Sequence, residues 1–251
     1  MSDSASIELK GVRVARDELP DSVAVDAVDW VIRPGEWWVV CGAPDSGKTS
    51  LLTTGAALNA PLSGTVRVFG SNYWNVAEPE QIALRRRIGF VFEGGGRLFS
   101  HMSVLENLVL SLQYHTNCDR VAAEERALEL LARVELRAHA ALAPARLSAA
   151  LQRRVALART LTEPVEVLFI DAPFAGLGTE DVRWWLRLLR GLAEHNEAPG
   201  ERMSIVTSDY EFEAWLGWAN RFGVLRDGSF QTIDLPEARA AARPLGESGV
   251  D

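Results

Sequence analysis

The segment from Trp37 to Thr49 constrains the fold of this chain more than any other part of its sequence. It begins with a short continuous apolar run, Trp37 to Cys41, which is the pattern of a strand buried on both faces. The residues from Gly42 to Thr49 match G-x-x-x-x-G-K-[ST], and a helical pattern follows from Thr49 to Leu58. A strand, a glycine-containing loop and a helix in this order predict a phosphate-binding loop at the edge of a parallel sheet.

The residue types of this loop suit a bound triphosphate. Gly42 and Gly47 let the backbone wrap closely around phosphates, with N–H groups and the helix N-terminus pointing at them. Lys48 would contact the outer phosphates, and the Thr49 hydroxyl would hold Mg²⁺. A chance match in a chain of this composition is roughly one in a thousand, so we favour a nucleotide site over a plain glycine turn. The predicted nucleotide-binding residues of the loop are Gly42, Ala43, Pro44, Asp45, Ser46, Gly47, Lys48, Thr49 and Ser50.

Composition narrows the class of protein. No apolar run reaches the ~20 residues that a membrane span needs, and the N-terminus lacks the features of a secretory signal, so we expect a cytoplasmic protein. A net charge of -8 argues against a nucleic-acid partner.

Two charged residues of the loop differ in what they indicate. Lys10 and Lys48 are the only lysines among 26 basic residues, so a lysine within the loop is stronger evidence for a phosphate site than it would be in a lysine-rich chain. Asp45 is the one unfavourable loop residue, because its carboxylate opposes phosphate.

Strand and helix patterns alternate along most of the chain. Ile7–Val14 and Val23–Ile32 predict an edge sheet, and Val167–Ile170 is one of several later strands. Helical patterns dominate from Val104 to Leu161. We therefore predict a mostly parallel sheet covered on both faces and interrupted by a helical lobe.

The order of these motifs resembles the nucleotide-binding subunit of ABC transporters. After the loop come the helical lobe, then Leu147-Ser148 opening a helix, then a strand that ends in Asp171, and the resemblance covers residues 7 to 233. Within this family, Phe92 to Asn107 is most similar to Mla-type importers of phospholipids. The resemblance implies an α/β P-loop NTPase fold with a mostly parallel central sheet, an N-terminal antiparallel edge sheet and an inserted all-helical subdomain.

The same resemblance implies one nucleotide-binding domain over residues 1–251. Its RecA-like core would comprise residues 1–92 and 162–235, its helical subdomain residues 93–161, and its flexible tail residues 236–251. ATP and Mg²⁺ are the implied cofactors. Thr49, Glu93 and Asp171 would hold the Mg²⁺, and Arg16 would stack on adenine where the family has an aromatic ring.

Several family residues that act on water or the γ-phosphate are replaced. Ala172 stands where the family has the glutamate that activates water, and Ser208 stands at the position of the switch histidine. Glu93 replaces a glutamine and could ligate Mg²⁺ or act as a substitute base. Loss of a positioned base typically costs ~10² to 10⁴ in rate, so we expect ATP binding with impaired hydrolysis.

The signature motif, which faces the nucleotide of the other subunit in the family, is also altered. Alanines replace its two glycines, and each added methyl group opposes the approach of a partner backbone to phosphate. Its residues here are Leu147, Ser148, Ala149, Ala150, Leu151 and Gln152.

The resemblance implies a dimer, formed with a second copy or with an intact ABC ATPase subunit. It also implies a transmembrane permease, contacted through Arg97, Leu98 and Phe99, and a peripheral location on the inner face of the cell membrane. Two alternatives remain open. One is a non-hydrolytic ATP sensor or scaffold that controls dimerisation of a membrane complex, and the other is a soluble ABC protein of DNA repair or translation.

Overall fold

The computed structural model describes residues 5–17, 19, 21–96, 98–194 and 202–242. Its strands are β1 (Ile7–Ala15), β2 (Val23–Ile32), β3 (Trp37–Gly42), β4 (Ser63–Val68), β5 (Ser71–Asn72), β6 (Ile88–Val91), β7 (Val167–Ile170), β8 (Ser204–Asp209), β9 (Arg221–Arg226) and β10 (Ser229–Ile233). Its helices are α1 (Lys48–Gly55), α2 (Glu78–Arg85), α3 (Val104–Thr116), α4 (Arg120–Arg133), α5 (Ala149–Thr160), α6 (Thr179–Glu194) and α7 (Leu235–Ala241).

Within the described residues the strands form one sheet in the order β5-β4-β1-β2-β10-β9-β3-β8-β7-β6. The run from β9 to β6 is parallel, while β1 pairs antiparallel with both β2 and β4. The β9–β10 hairpin joins the two parts, because β10 pairs antiparallel with β9 and bridges in parallel to β2. The predicted α/β fold, with its mostly parallel sheet and antiparallel N-terminal edge, is confirmed.

Strand β3 lies inside the parallel run and is buried on both faces. Trp37, Val39 and Cys41 pack in one hydrophobic core, and Trp38 and Val40 pack in the other. Neither face of the strand meets water, which explains why its apolar residues are continuous rather than alternating. The core on the first face also contains much of the helical region, and the core on the second face contains α1.

Parallel pairing brings the carboxyl ends of three strands to one edge of the sheet. Cys41 at the end of β3 pairs with Asp209 of β8, and Ile170 at the end of β7 pairs with Thr207 of β8. The loops that follow β3 and β7 therefore lie on either side of the last residues of β8. In open parallel sheets, ligands bind in crevices at this edge.

Helices α3, α4 and α5 lie between β6 and β7 in the chain. A capping box starts α3, since Ser103 Oγ accepts from the Glu106 N–H while the Glu106 carboxylate accepts from the Ser103 N–H. Ser148 caps α5 through a 3.4 Å contact from the Leu151 N–H. The three helices pack together, and α5 also packs on β6.

The C-terminal part differs from the expectation of a flexible tail from residue 236. The structure forms α7 there, with a capping box between Asp234 and Glu237, and Ala238 is fully buried. Residues 243–251 lie outside the described part of the chain. In the described ranges, no helix is both long and apolar enough to cross a membrane.

Two glycines with nearly the same φ provide a test of the β1–β4 pairing. Gly64 has φ +89° and Gly70 has φ +87°, but a Cβ would lie 2.4 Å from the Gly11 carbonyl oxygen at Gly64 and would meet nothing within 4 Å at Gly70. We expect Gly70→Ala to lower the free energy of unfolding by about 1 kcal/mol through backbone strain alone. Gly64→Ala adds a clash and should cost about 2–4 kcal/mol. Urea unfolding measures both values, and equal losses would contradict the assigned register.

Candidate functional site

The loop after β3 has a glycine near each end, where a side chain would clash or would strain the backbone. At Gly42 a Cβ would lie 2.6 Å from Ser46 Oγ and 2.8 Å from the Leu225 carbonyl oxygen. Gly47 has φ +96°, and a Cβ there would lie 3.1 Å from Val25 Cγ2. The loop is therefore packed tightly at both ends, and its backbone keeps the compact curve that a phosphate cradle needs.

Lys48 lies across this curve. Its Nζ donates hydrogen bonds to the carbonyl oxygens of Gly42 and Ala43, both at 2.7 Å. The side chain is only 8% exposed. Burial lowers the pKa of the Lys48 ammonium, and the nearby carboxylates of Asp171 and Asp209 oppose that shift. The loop thus holds a buried cation at its centre, where an incoming phosphate would meet it.

One buried hydroxyl of the loop is unsatisfied. Among the described residues, Ser46 Oγ has no hydrogen-bond partner, although buried polar groups normally have one. A phosphate oxygen could accept from it. Asp45, by contrast, is exposed and adopts φ +58°, so water solvates its carboxylate. The tight glycines, the buried ammonium and the unsatisfied hydroxyl together fit a nucleotide phosphate chain.

Asp171 is the centre of a hydrogen-bond chain beside the loop. Thr49 Oγ1 donates to Asp171 Oδ2 at 2.7 Å, and Ser208 Oγ donates to Asp171 Oδ1 at 2.6 Å. The Ala172 N–H donates in turn to Ser208 Oγ at 2.9 Å. Asp171 is 4% exposed, so its charge relies on these donors.

The oxygens of Thr49 and Asp171 suit Mg²⁺. This ion prefers oxygen ligands, and it usually binds through one or two carboxylates plus substrate phosphates rather than in an all-protein cage. Among the described residues, no group of three or more His, Cys, Asp or Glu side chains could form such a cage. A hydroxyl and a carboxylate oxygen 2.7 Å apart at the loop therefore fit a magnesium ion shared with a nucleotide.

The predicted hydrolytic positions occupy the same edge of the sheet. Ala172 directly follows Asp171, has φ +41° and is 7% exposed, and its methyl group cannot accept a proton. Ser208 is fully buried, and its hydroxyl is engaged with Asp171. Glu93 is exposed two residues after Val91, which pairs with Ile170. Glu93 therefore follows the neighbouring strand at this edge.

The predicted signature residues lie at the start of α5. Ser148 and Ala149 are exposed, while Ala150 is half-buried. Gln152 Nε2 donates back to the Leu147 carbonyl oxygen at 3.0 Å. The exposed first turn leaves this surface open to a second subunit. The packing of α5 against β6, α3 and α4 connects it to the helical region.

The predicted adenine contact, the last residue of the predicted loop and the predicted permease contacts have different surroundings. Arg16 is exposed, and its N–H donates to the Ser22 carbonyl oxygen at 2.9 Å. Ser50 is buried, and its Oγ lies 3.3 Å from the Asp17 carboxylate. Of the predicted permease contacts, Leu98 is half-buried, Phe99 is exposed, and Arg97 lies outside the described residues.

The structure adds residues to this site that sequence reasoning missed. Tyr210 lies directly after β8, with its ring centroid 4.7 Å from Lys48 Nζ. Asp209 accepts from Trp215 Nε1 at 2.7 Å, and burial raises the pKa of this carboxyl group. Burial also raises the pKa of the Cys41 thiol, which keeps it protonated. An aromatic residue directly after a strand at the ligand-binding edge is the signal that could have identified Tyr210.

Substitution of Gly42 tests the cradle directly. We expect Gly42→Ala to abolish the rise in melting temperature that ATP with Mg²⁺ gives the wild-type protein, because the added Cβ displaces Ser46 and the loop backbone. At a hundredfold excess over Kd, that rise corresponds to about 2.7 kcal/mol. Gly178→Ala is the matched control, since a Cβ at Gly178 meets nothing within 4 Å. An unchanged ATP response in Gly42→Ala would contradict the assignment of the loop.

Comparisons with known proteins agree with this geometry. A family model described as ABC transporter matches residues 25–175. The chain is 39% identical over 198 residues to the glutamate/aspartate import ATP-binding protein GltL of Escherichia coli K12, and the match covers 78% of each chain. It is 36% identical over 230 residues to the sulfate/thiosulfate import ATP-binding protein CysA of Mycolicibacterium paratuberculosis. That match covers 90% of this chain and 59% of the relative, so the chain spans about three fifths of that protein's length.

A solved structure also matches this chain over most of its length. The dimeric structure of MJ0796, a bacterial ABC transporter cassette, superimposes with a TM-score of 0.80 and 27% identity, over 91% of this chain and 98% of that one. The family model covers more than half of the chain, and GltL exceeds 30% identity over more than two thirds of it. The chain therefore belongs to the ABC transporter family, of which it is an ATP-binding domain.

Proposed function

We propose that this chain is the ATP-binding subunit of an ABC importer and that it binds ATP with Mg²⁺ but hydrolyses it slowly or not at all by itself. The observation that carries the proposal is the asymmetry around Asp171. Thr49 donates to one oxygen of this carboxylate, where a metal ion would bind, while the next residue in the chain, at which the family has the glutamate that activates water, is Ala172.

The binding half of the proposal rests on the loop. Family members bind ATP, normally with Mg²⁺, and Lys48, Ser46 and the backbone from Gly42 to Thr49 suit the phosphates. Thr49 and Asp171 suit the metal, and Mg²⁺ would there neutralise phosphate charge and link the nucleotide to the protein. The adenine contact of Arg16 remains a proposal, because a planar guanidinium can stack on a base.

The hydrolytic half rests on Ala172 and Ser208. A positioned general base is worth ~10² to 10⁴ in rate, and an alanine supplies none. Ser208 cannot replace a switch histidine while its hydroxyl donates to Asp171, because that bond directs the hydroxyl to the carboxylate rather than to a bound phosphate. Glu93 is the residue that could restore turnover as a substitute base, from its exposed position after β6.

Dimer formation is the third part of the proposal. ABC ATPase subunits dimerise, and the exposed turn at Ser148 and Ala149 supports an approach to the nucleotide of a second subunit. The methyl groups of Ala149 and Ala150 oppose a close approach. We therefore propose that a dimer that hydrolyses ATP contains a partner subunit with intact motifs. A dimer of two copies of this chain would bind ATP without hydrolysing it.

A groove between β6 and α5 supports a permease contact. ABC subunits work with transmembrane permease subunits, and this groove has a volume of about 570 Å³ and is lined by Phe90, Phe92 and Arg159 among others. Phe99 is exposed close by in sequence, and its backbone is fixed by the buried side chain of Asn107 through bonds of 2.8 and 3.1 Å. A fixed apolar surface of this kind suits a segment of a membrane partner, which would give the subunit a peripheral location.

The cargo is inferred from the relatives. The names of GltL and CysA specify import of glutamate/aspartate and of sulfate/thiosulfate. We therefore propose import of a small anionic solute. The resemblance to phospholipid importers finds no support among these relatives, and lipid cargo stays a prediction from the sequence alone.

A non-hydrolytic ATP sensor or scaffold is the second candidate, favoured by the same replacement at Ala172. Both candidates bind ATP, but phosphate release by the purified membrane complex separates them. Turnover above ~1 s⁻¹, an ordinary enzyme rate, that disappears in Lys48→Ala would exclude the sensor. Co-purification with a membrane protein separates either candidate from a soluble ABC protein.

Restoring a carboxylate at position 172 tests the hydrolytic half. We expect Ala172→Glu to raise the rate of phosphate release by ~10² to 10⁴, because it places a base beside Asp171. Ala172→Gln is the matched control, since it has the same size but cannot accept a proton at neutral pH. A wild-type rate that already equals that of Ala172→Glu, or an equal gain in Ala172→Gln, would overturn the proposal.

A further inference from the structure

The ring of Tyr210 lies against the ammonium of the loop. Lys48 Nζ is 4.7 Å from the ring centroid, within the range of a cation–π contact. The same Nζ bonds to the carbonyl oxygens of Gly42 and Ala43 on its loop side. Tyr210 is 49% exposed, so the ring also borders the solvent space from which a ligand reaches Lys48.

The backbone of Tyr210 is held at the end of β8. Its N–H donates to Asp209 Oδ1 at 2.7 Å, while the other carboxylate oxygen of Asp209 accepts from Trp215 Nε1 at 2.7 Å. Trp215 is fully buried and stacks on Phe174 with ring centroids 4.3 Å apart. Phe174 belongs to the segment that follows Asp171. The stacking of Trp215 on Phe174 therefore links the residues that hold Tyr210 to the segment that carries Asp171.

A lysine of a loop with this pattern contacts the outer phosphates of a nucleoside triphosphate. A charge-assisted bond from its ammonium to a phosphate oxygen spans about 2.7–2.9 Å, which is less than the 4.7 Å to the Tyr210 centroid. The ring and a bound phosphate would therefore be neighbours of the same ammonium group, and a phosphate oxygen on the solvent side of Lys48 would lie beside this tyrosine. The phenol group carries one O–H donor, and phosphate oxygens are strong acceptors.

We propose that Tyr210 donates a hydrogen bond from its hydroxyl to the terminal phosphate of ATP bound at Lys48, and so makes the site prefer ATP over ADP. This inference rests on the proposed nucleotide binding and goes beyond it by naming a residue that recognises the terminal phosphate. Ser208 cannot provide that contact, because its hydroxyl is fully buried and donates to Asp171. ADP lacks the terminal phosphate, so it gains nothing from Tyr210.

Tyr210→Phe isolates the hydroxyl, because phenylalanine keeps the ring over Lys48. Calorimetric titration with Mg²⁺ would measure the affinity for ADP and for a non-hydrolysable ATP analogue. A hydrogen bond to a charged group is worth enough for a loss of ~10-fold or more, so we expect that loss for the analogue and an unchanged ADP affinity. Tyr114→Phe is the matched control, since Tyr114 is 82% exposed on α3, and it should change neither affinity.

The outcomes separate this inference from the proposed function. Wild-type protein that binds neither nucleotide would overturn both. Wild-type protein that binds both nucleotides, with Tyr210→Phe unchanged for the analogue, would overturn only the role of Tyr210. Equal losses for ADP and the analogue would also overturn it, because they would show that the tyrosine supports the loop rather than recognising the terminal phosphate.

Discussion

The hydrogen bonds that Thr49 and Ser208 donate to the two oxygens of Asp171 join the phosphate loop to two strands of the central sheet. These bonds require that the ends of β3, β8 and β7 lie side by side, which the parallel pairing of the strands provides. The pairing in turn depends on β3, whose apolar side chains fill a core on each face of the sheet. Burial in the cores thus fixes the strand ends, and the strand ends fix the carboxylate.

This arrangement separates nucleotide binding from hydrolysis. The proposed binding would use the backbone of the loop, the ammonium of Lys48 and the oxygens of Thr49 and Asp171. Hydrolysis also requires a group that accepts a proton from water, and the residue after Asp171 is an alanine. In the family, ATP-bound subunits dimerise and act with permease subunits, so a chain that holds ATP without cleaving it could still stabilise a complex.

The sequence was sufficient to predict the parts of the structure that rest on local pattern. The continuous apolar residues of β3 predicted the buried central strand, and the G-x-x-x-x-G-K-[ST] pattern predicted the loop and helix that follow it. Strand β10 was missed because its side chains are largely exposed and its pattern is polar. Helix α7 was missed because its Ala- and Arg-rich sequence resembles a flexible tail, whereas capping by Asp234 and burial of Ala238 stabilise it.

The interactions of Ser208 and Tyr210 could not be predicted, because they depend on which segments the fold brings together. The family resemblance placed Ser208 at the position of the switch histidine but did not predict that it donates to Asp171, 37 positions away in the chain. The most direct test of the account is the identity of the nucleotide bound to the purified chain after incubation with ATP and Mg²⁺. Chromatography of the released nucleotide should recover ATP, absent in Lys48→Ala. Recovery of ADP and phosphate at an ordinary enzymatic rate of ~1 s⁻¹ or more would contradict it.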